Sequence, residues 1–288
     1  MSTHVLENER LRATIADAGA ELISVYDKKR GTERIWTGEA SVWNRHAPIL
    51  FPFVGKVTEG KYRIGGREFA MPTQHGFARD REFICVGESG ASVMHLLTAD
   101  DWTRARYPYD FRLTVAHELA ENRLRVAWTV ENAGAERMCF GIGGHPGFLV
   151  PPGTRKEDCR IAFPGVDALG YIGTSKAGFA LPEKKTLRPE DGLVNYQDDI
   201  PDTWIFEDAQ VKQVGIAAPD GELYALLHCE QFPMLAVWAN PKGPFICLEP
   251  WFGRTDDEGF AGTIDQKKGM LFLDGGEKKE ISYTIEFR

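Results

Sequence analysis

Three short segments, far apart in the chain, each set one titratable side chain among residues that let a ligand come close. They are Gln74-His75-Gly76-Phe77-Ala78-Arg79-Asp80, Gly143-Gly144-His145-Pro146-Gly147-Phe148 and Cys247-Leu248-Glu249-Pro250-Trp251-Phe252-Gly253. Histidine has the side chain whose unperturbed pKa lies closest to neutrality, and glycine admits close backbone approach because it has no Cβ. Two imidazoles and one carboxylate so placed can supply a proton donor, a proton acceptor and a positioning group.

Each residue also has a purely structural reading. His145 lies in a segment too rich in glycine and proline to build core. The alternation Met138, Phe140, Ile142 before it delivers that segment to the rim of a sheet; otherwise it is a turn that merely contains a histidine. Glu249 follows the apolar run Phe245-Ile246-Cys247-Leu248. It is either paired, with Arg254 or Lys56 at hand, or desolvated, and desolvation raises a carboxyl pKa towards that of a useful base. His75 and Arg79 share a face if their segment is a helical turn and can meet one ligand if it is a loop. The alternative is an Arg79–Asp80 surface pair. Asp202 opens a strand at Thr203-Trp204-Ile205-Phe206 and is placed to accept from ligand hydroxyls. His46, His95, His117 and His228 carry no such context, and His117 reads as a core histidine. No two of the seven histidines lie within five residues of each other, so no metal cluster has a local signature. No nucleophile elbow, phosphate loop or dinucleotide fingerprint occurs in its required setting.

The elements that must position these groups read as strands. Phe111, Leu113, Val115, His117 and Leu119 alternate with polar residues, and after Glu121-Asn122 so do Leu124, Val126, Trp128 and Val130, which predicts a hairpin. Further hairpins are predicted around Gly65-Gly66, Asp220-Gly221 and Gly275-Gly276, and one between Leu11–Ile15 and Leu22–Tyr26. Helical periodicity is confined to residues 99–105 and 189–194, and 170–202 reads as an elaborated loop region. Many short strands with glycine turns predict an all-β, large antiparallel sandwich. No repeat or linker divides the chain, so one domain over residues 1–288 is expected.

Bulk composition narrows the classes. A net charge of −8 argues against nucleic-acid and anionic-membrane partners, which need a basic face. Five scattered cysteines without metal-ligand spacing read as free thiols in a reducing compartment. The first residues lack a signal peptide's basic and apolar regions, and no apolar run approaches a membrane span. A cytoplasmic protein is expected.

In the order and spacing of these motifs the chain resembles the aldose 1-epimerase (galactose mutarotase-like) family over almost its whole length. The resemblance implies a β-supersandwich that interconverts the α and β anomers of a sugar without cofactor or metal. It implies His145 as general acid, Glu249 as general base, His75 as the orienting histidine and Asp202 as the hydroxyl-binding aspartate. His-Gly-Phe-Ala-Arg looks like the epimerase-like and hexose-phosphate branches, in which the arginine, here Arg79, helps bind substrate; Trp251 or Phe148 would pack on the sugar ring. Gly144 stands where the galactose enzymes have an asparagine, and Pro250-Trp251 is not their continuation either, so the sugar is open. Lys56, Arg79 and Arg254 are the cations available to a sugar phosphate. The expected working state is a protonated His145 opposite an ionised Glu249, in a monomer or homodimer whose partner is a small-molecule sugar. The rival reading is a carbohydrate-binding protein without catalysis.

Overall fold

The computed structural model describes residues 2–196 and 203–288. Two large antiparallel sheets make up most of it. The nine-stranded sheet runs, in spatial order, Leu193–Asn195, Arg160–Ala162, Gln213–Ala217, Leu223–His228, Lys278–Phe287, Arg123–Asn132, Phe111–Ala120, Ser92–Thr98 and Ile84–Glu88. The second runs Ala180–Leu187, Leu169–Thr174, Trp204–Phe206, Met234–Trp238, Phe245–Phe252, Ile142–Gly144 and Ile49–Leu50, with Gly147–Leu149 also pairing to Phe245–Phe252. A four-stranded sheet, from Thr3–Glu7 to Thr32–Glu33, and two small ribbons complete it. This is the antiparallel β-sandwich that the alternation predicts. No helix among the described residues is long and apolar enough to cross a membrane.

Side-chain alternation explains which sequence patterns were readable. In Phe111–Ala120 and Arg123–Asn132, Leu113 faces Val130 and Val115 faces Trp128 across the hairpin. One strand face is buried and the other solvated, so the period of two survives in the sequence. Phe245–Phe252 is buried on both faces and therefore reads as a continuous apolar run. Its even-numbered Ile246 and Leu248 join the main core with Val126, Trp128 and Ile285. Its odd-numbered Cys247, Glu249 and Trp251 emerge on the opposite face, and that parity aims Glu249 away from the sandwich interior.

Three local expectations give way. Leu271–Leu273 does not form a hairpin with Lys278–Phe287; it pairs with Met138–Phe140, while Lys278–Phe287 lies between Arg123–Asn132 and Leu223–His228. Long-range pairing has overridden a local glycine turn. Within 170–202, Leu169–Thr174 and Ala180–Leu187 are strands rather than loop, and Ala180–Leu187 forms the sheet edge. Edge strands have one solvated rim and tolerate the lysines that hid them. Residues 189–194 are not helical: Leu193–Asn195 is a strand. The short helix expected within 99–105 is present as Asp101–Arg104, capped by Asp100. His117 is buried but its Nδ1 has no hydrogen-bond partner among the described residues, so it is a core histidine that is not fully satisfied.

The four-stranded sheet is pinned to the larger one by a dry ion pair. Arg34 and Asp27 side chains are both fully buried, with Nη1 donating to Oδ2 at 2.7 Å. The same guanidinium lies 3.7 Å from the centre of the Tyr224 ring and donates to the Tyr224 carbonyl. Removing one partner of such a pair strands the other charge in the interior. Asp27→Ala is expected to lower unfolding free energy by about 3–5 kcal/mol in chemical denaturation.

Candidate active site

A cleft of about 320 Å³ opens on the face of the second sheet that carries the odd-numbered residues of Phe245–Phe252. Glu249 and His145 form its floor, and His75, Arg79 and Trp251 line it. Five of the six site residues expected from sequence thus converge. The sixth, Asp202, lies outside the described residues.

Local backbone explains each placement. His145 follows Ile142–Gly144, which is threaded between Phe245–Phe252 and Ile49–Leu50, and its own N–H donates to the Pro48 carbonyl at 3.1 Å. Gly143 lacks room for a side chain: a Cβ would come within 2.6 Å of Trp251 Cδ1. The glycine therefore admits the protein's own tryptophan rather than a ligand. His75 sits in the left-handed region at φ 68°, and Gly76 after it has the same φ and touches Phe51, where a Cβ would lie 2.2 Å from the carbonyl oxygen. Arg79 enters from the 3-10 turn Ala78–Asp80. Its pairing with Asp80 is loose, 3.9 Å from Nε, because Asp80 is engaged by Arg45; Nη2 donates to the Gln74 carbonyl at 2.7 Å. Arg254 is no partner of Glu249, since it pairs with Glu207 and Asp257, and Lys56 donates to the Ala177 carbonyl.

His145 Nε2 lies 3.2 Å from Glu249 Oε2. Both side chains are almost wholly removed from water, and burial disfavours the charged form of each. Burial, aided by the nearby Arg79 charge, draws His145 down to about 3. Burial likewise holds the Glu249 carboxyl well above its ordinary range, opposed in part by the Trp251 indole. Burial thus favours the uncharged form of each, a protonated Glu249 beside a neutral His145. That preference runs against the protonated His145 and ionised Glu249 expected from sequence, where neither dehydration nor the Arg79 charge could be read.

His75 is neutral for the same reason, its pKa lowered by burial and then by His145 and Arg79. The Gly55 N–H donates to its Nδ1 at 3.1 Å, which leaves the ring proton on Nε2. The ring stands 5.5 Å from that of His145. Glu249 Oε2, His145 Nδ1, Trp251 Nε1 and Arg79 Nε are buried without a well-aligned hydrogen-bond partner among the described residues. Buried polar groups are rarely left so, and these four belong to residues lining one cleft, where a polar ligand can meet them.

Sequence reasoning missed the aromatic walls. Trp43 and Trp238 pack on the His145 ring at 5.0 and 5.5 Å between centroids. Trp43 comes from an irregular segment held by Glu21, whose Oε1 accepts from the backbone of His46 and Ala47, and by the Asn240 amide on the Val42 carbonyl. A tryptophan in a polar, strandless stretch was the available signal. Lys176, also on the cleft wall, had none.

A family model described as aldose 1-epimerase matches residues 2–191. Protein LacX of Lactococcus lactis subsp. lactis is 29% identical, with 97% of each chain covered. The structure of a galactose mutarotase related enzyme from Lactobacillus acidophilus superposes with TM-score 0.92 at 29% identity, covering 100% of this chain and 97% of that one. A galactose mutarotase-like protein from Lactobacillus casei gives 0.91 at 30% identity, with both chains covered completely.

The protonation state can be read directly. In a nitrogen-15 NMR titration His145 is expected to stay neutral until pH falls through about 3. Infrared difference spectra at neutral pH should contain a protonated-carboxyl band that Glu249→Gln removes. A His145 that titrates near neutrality would overturn the assignment.

Proposed function

The chain belongs to the aldose 1-epimerase family, and from that premise we propose that it is itself a mutarotase, opening and reclosing the ring of an aldose between His145 and Glu249. The observation that carries this reading is the dry pair at 3.2 Å on the floor of a polar cleft. We take residues 1–288 to act as one domain.

In the proposed cycle the pair's single proton passes from Glu249 to His145 when sugar oxygens enter. The Glu249 carboxylate then takes the proton of the anomeric hydroxyl while the His145 imidazolium gives its proton to the ring oxygen. The bond from the anomeric carbon to the ring oxygen breaks and the aldehyde forms. At that point Glu249 is protonated and His145 neutral, the arrangement that burial favours. Rotation about one carbon–carbon bond and reversal of both transfers give the other anomer. Proton transfer of this kind works best when the groups' pKa values are matched to the task, and the pair is tuned as one titrating unit. The His75 Nε2–H and Arg79 would hold sugar oxygens, Trp251 would pack on the ring, and Asp202 would accept from distal hydroxyls.

A second reading keeps the chemistry and makes the aldose anionic, as in a hexose 6-phosphate. Lys56, Arg79 and Lys176 line the cleft, whose one carboxyl among the described residues is Glu249, held towards its neutral form by burial. Arg254, offered by the sequence as a third cation, is instead committed to Glu207 and Asp257. A carbohydrate-binding role without catalysis would not call for a buried acid–base pair.

Anomer-resolved NMR exchange or polarimetry on free aldoses and hexose 6-phosphates tests these readings. Chelator-treated protein should accelerate exchange of at least one of them; activity restored only by a divalent ion would sink the cofactor-free mechanism. Binding of sugars with no exchange at all would favour the non-catalytic role.

Glu249→Gln should still bind sugar but lose about 10²–10⁴-fold in turnover, since the amide keeps the shape and cannot exchange a proton. His145→Asn should act alike, and the double variant should cost less than the product of the two, because the residues act as a unit. A folded Glu249→Gln protein with wild-type exchange would falsify the assignment.

The rate should be bell-shaped in pH. Activity is lost on the acid side as His145 gains a second proton near pH 3 and on the alkaline side as the pair gives up its only proton at Glu249.

Arg79→Ala should raise KM by roughly tenfold to a hundredfold, the worth of a hydrogen bond to a charged group. Unchanged KM and turnover with every active sugar would return Arg79 to a structural role.

A further inference from the structure

Remote in sequence from all cleft residues, three side chains converge where the four-stranded sheet meets the edge of the nine-stranded one. His4 lies on Thr3–Glu7, Asp17 immediately follows Leu11–Ala16, and His95 lies on Ser92–Thr98. His4 Nε2 and His95 Nε2 both reach the same carboxylate oxygen, Asp17 Oδ1, at 2.9 and 3.0 Å. On the far side of the His4 ring, Nδ1 meets Glu88 Oε2 at 2.9 Å. Backbone bonds hold the group from two directions: Asp17 N–H donates to Ser2, and Phe83 N–H donates to the Asp17 carbonyl.

We propose that His4 Nε2, His95 Nε2 and the Asp17 carboxylate form a divalent-cation site of the zinc class, with Glu88 as the carboxylate that orients His4. The donor atoms of His4, Asp17 and His95 all lie within 4.8 Å of one another. Zinc takes imidazole and carboxylate ligands at about 2.0–2.2 Å in tetrahedral array, so ligand atoms stand roughly 3.3–3.6 Å apart. The two contacts from histidine to Asp17 need to open by only about half an ångström to admit the ion. Two carboxylates balance a double positive charge. A ligating histidine ordinarily gives its other nitrogen to a carboxylate or carbonyl, and Glu88 stands in that place. His95 is fully buried, whereas His4 and Asp17 side chains keep 14% and 16% exposure, so one coordination position faces solvent and gives the ion a way in. Bound there, the metal would cross-link the first strand and the turn after the second to the nine-stranded sheet. Its role is to stabilise the fold, and the proposal is independent of the mutarotase reading.

Cobalt(II) reports such a site through intense visible absorption at low coordination number. Tag-free, chelator-stripped protein titrated with Co²⁺ should develop that band with one equivalent and lose it to Zn²⁺. Either metal should raise the thermal midpoint, because it binds the folded state. His4→Gln and Asp17→Asn, checked for native circular dichroism, should abolish both effects. Glu88→Gln should weaken binding by about 10–100-fold, the usual cost of losing an orienting partner. Two controls locate the ion. Cys85 forms a second compact donor group with His4 and Glu88, and His145, Cys247 and Glu249 form another. Cys85→Ser and His145→Asn should both leave the band intact. No band in the wild type, a band that survives His4→Gln and Asp17→Asn, or one that depends on Cys85 or His145 would each overturn the proposal.

Discussion

The dehydration of one carboxyl against one imidazole is the constraint around which the cleft is built. A charged Glu249 would be costly in its buried position, and so would a charged His145; the least expensive arrangement is a neutral pair that keeps one proton between them. That state follows from backbone parity. Phe245–Phe252 is covered on both faces, and alternation sends Ile246 and Leu248 into the sandwich and Glu249 to the cleft. Shifting the register by one residue would bury the carboxyl in the core and abolish the site.

The surroundings keep the pair dry without filling its access. Trp43 and Trp238 flank the imidazole, and Trp251 stands beside the carboxyl and presses on Gly143. The Trp43 segment is fixed by polar anchors, Glu21 on the backbone of His46 and Ala47 and the Asn240 amide on the Val42 carbonyl. The guanidinium of Arg79 contributes from a distance by disfavouring a proton on His145. A neutral acid–base pair in a positively lined cleft suits a reaction in which no net charge is created, only protons relocated between sugar oxygens.

Polar clusters elsewhere obey the same accounting with other outcomes. Arg34 and Asp27 are buried as a charged pair because Tyr224 covers the guanidinium and supplies a carbonyl acceptor. His4 and Asp17 keep partial access to water beside a buried His95, which leaves the proposed cation site open to an ion from solvent. Burial, number of acceptors and access to solvent separate a structural ion pair, a proton-sharing pair and a cation site built from similar residues.

Much of this was legible in the sequence. Period-two alternation identified the central hairpin and the sandwich class, because strands solvated on one face print their geometry directly into the residue order. Composition around His75, His145 and Glu249, together with the family resemblance, marked three segments that the fold brings into one cleft. Other features depended on contacts between distant segments, and no local pattern encodes those. The turn at Gly275-Gly276 suggested a hairpin that long-range pairing with Met138–Phe140 replaced. Trp43, Trp238 and Lys176 joined the site by tertiary placement alone. So did the convergence of His4, Asp17 and His95. The protonation of Glu249 and His145 was likewise decided only in three dimensions. Residue identity supplies a titratable group, but its pKa is set by the water and charge that the fold removes or places around it.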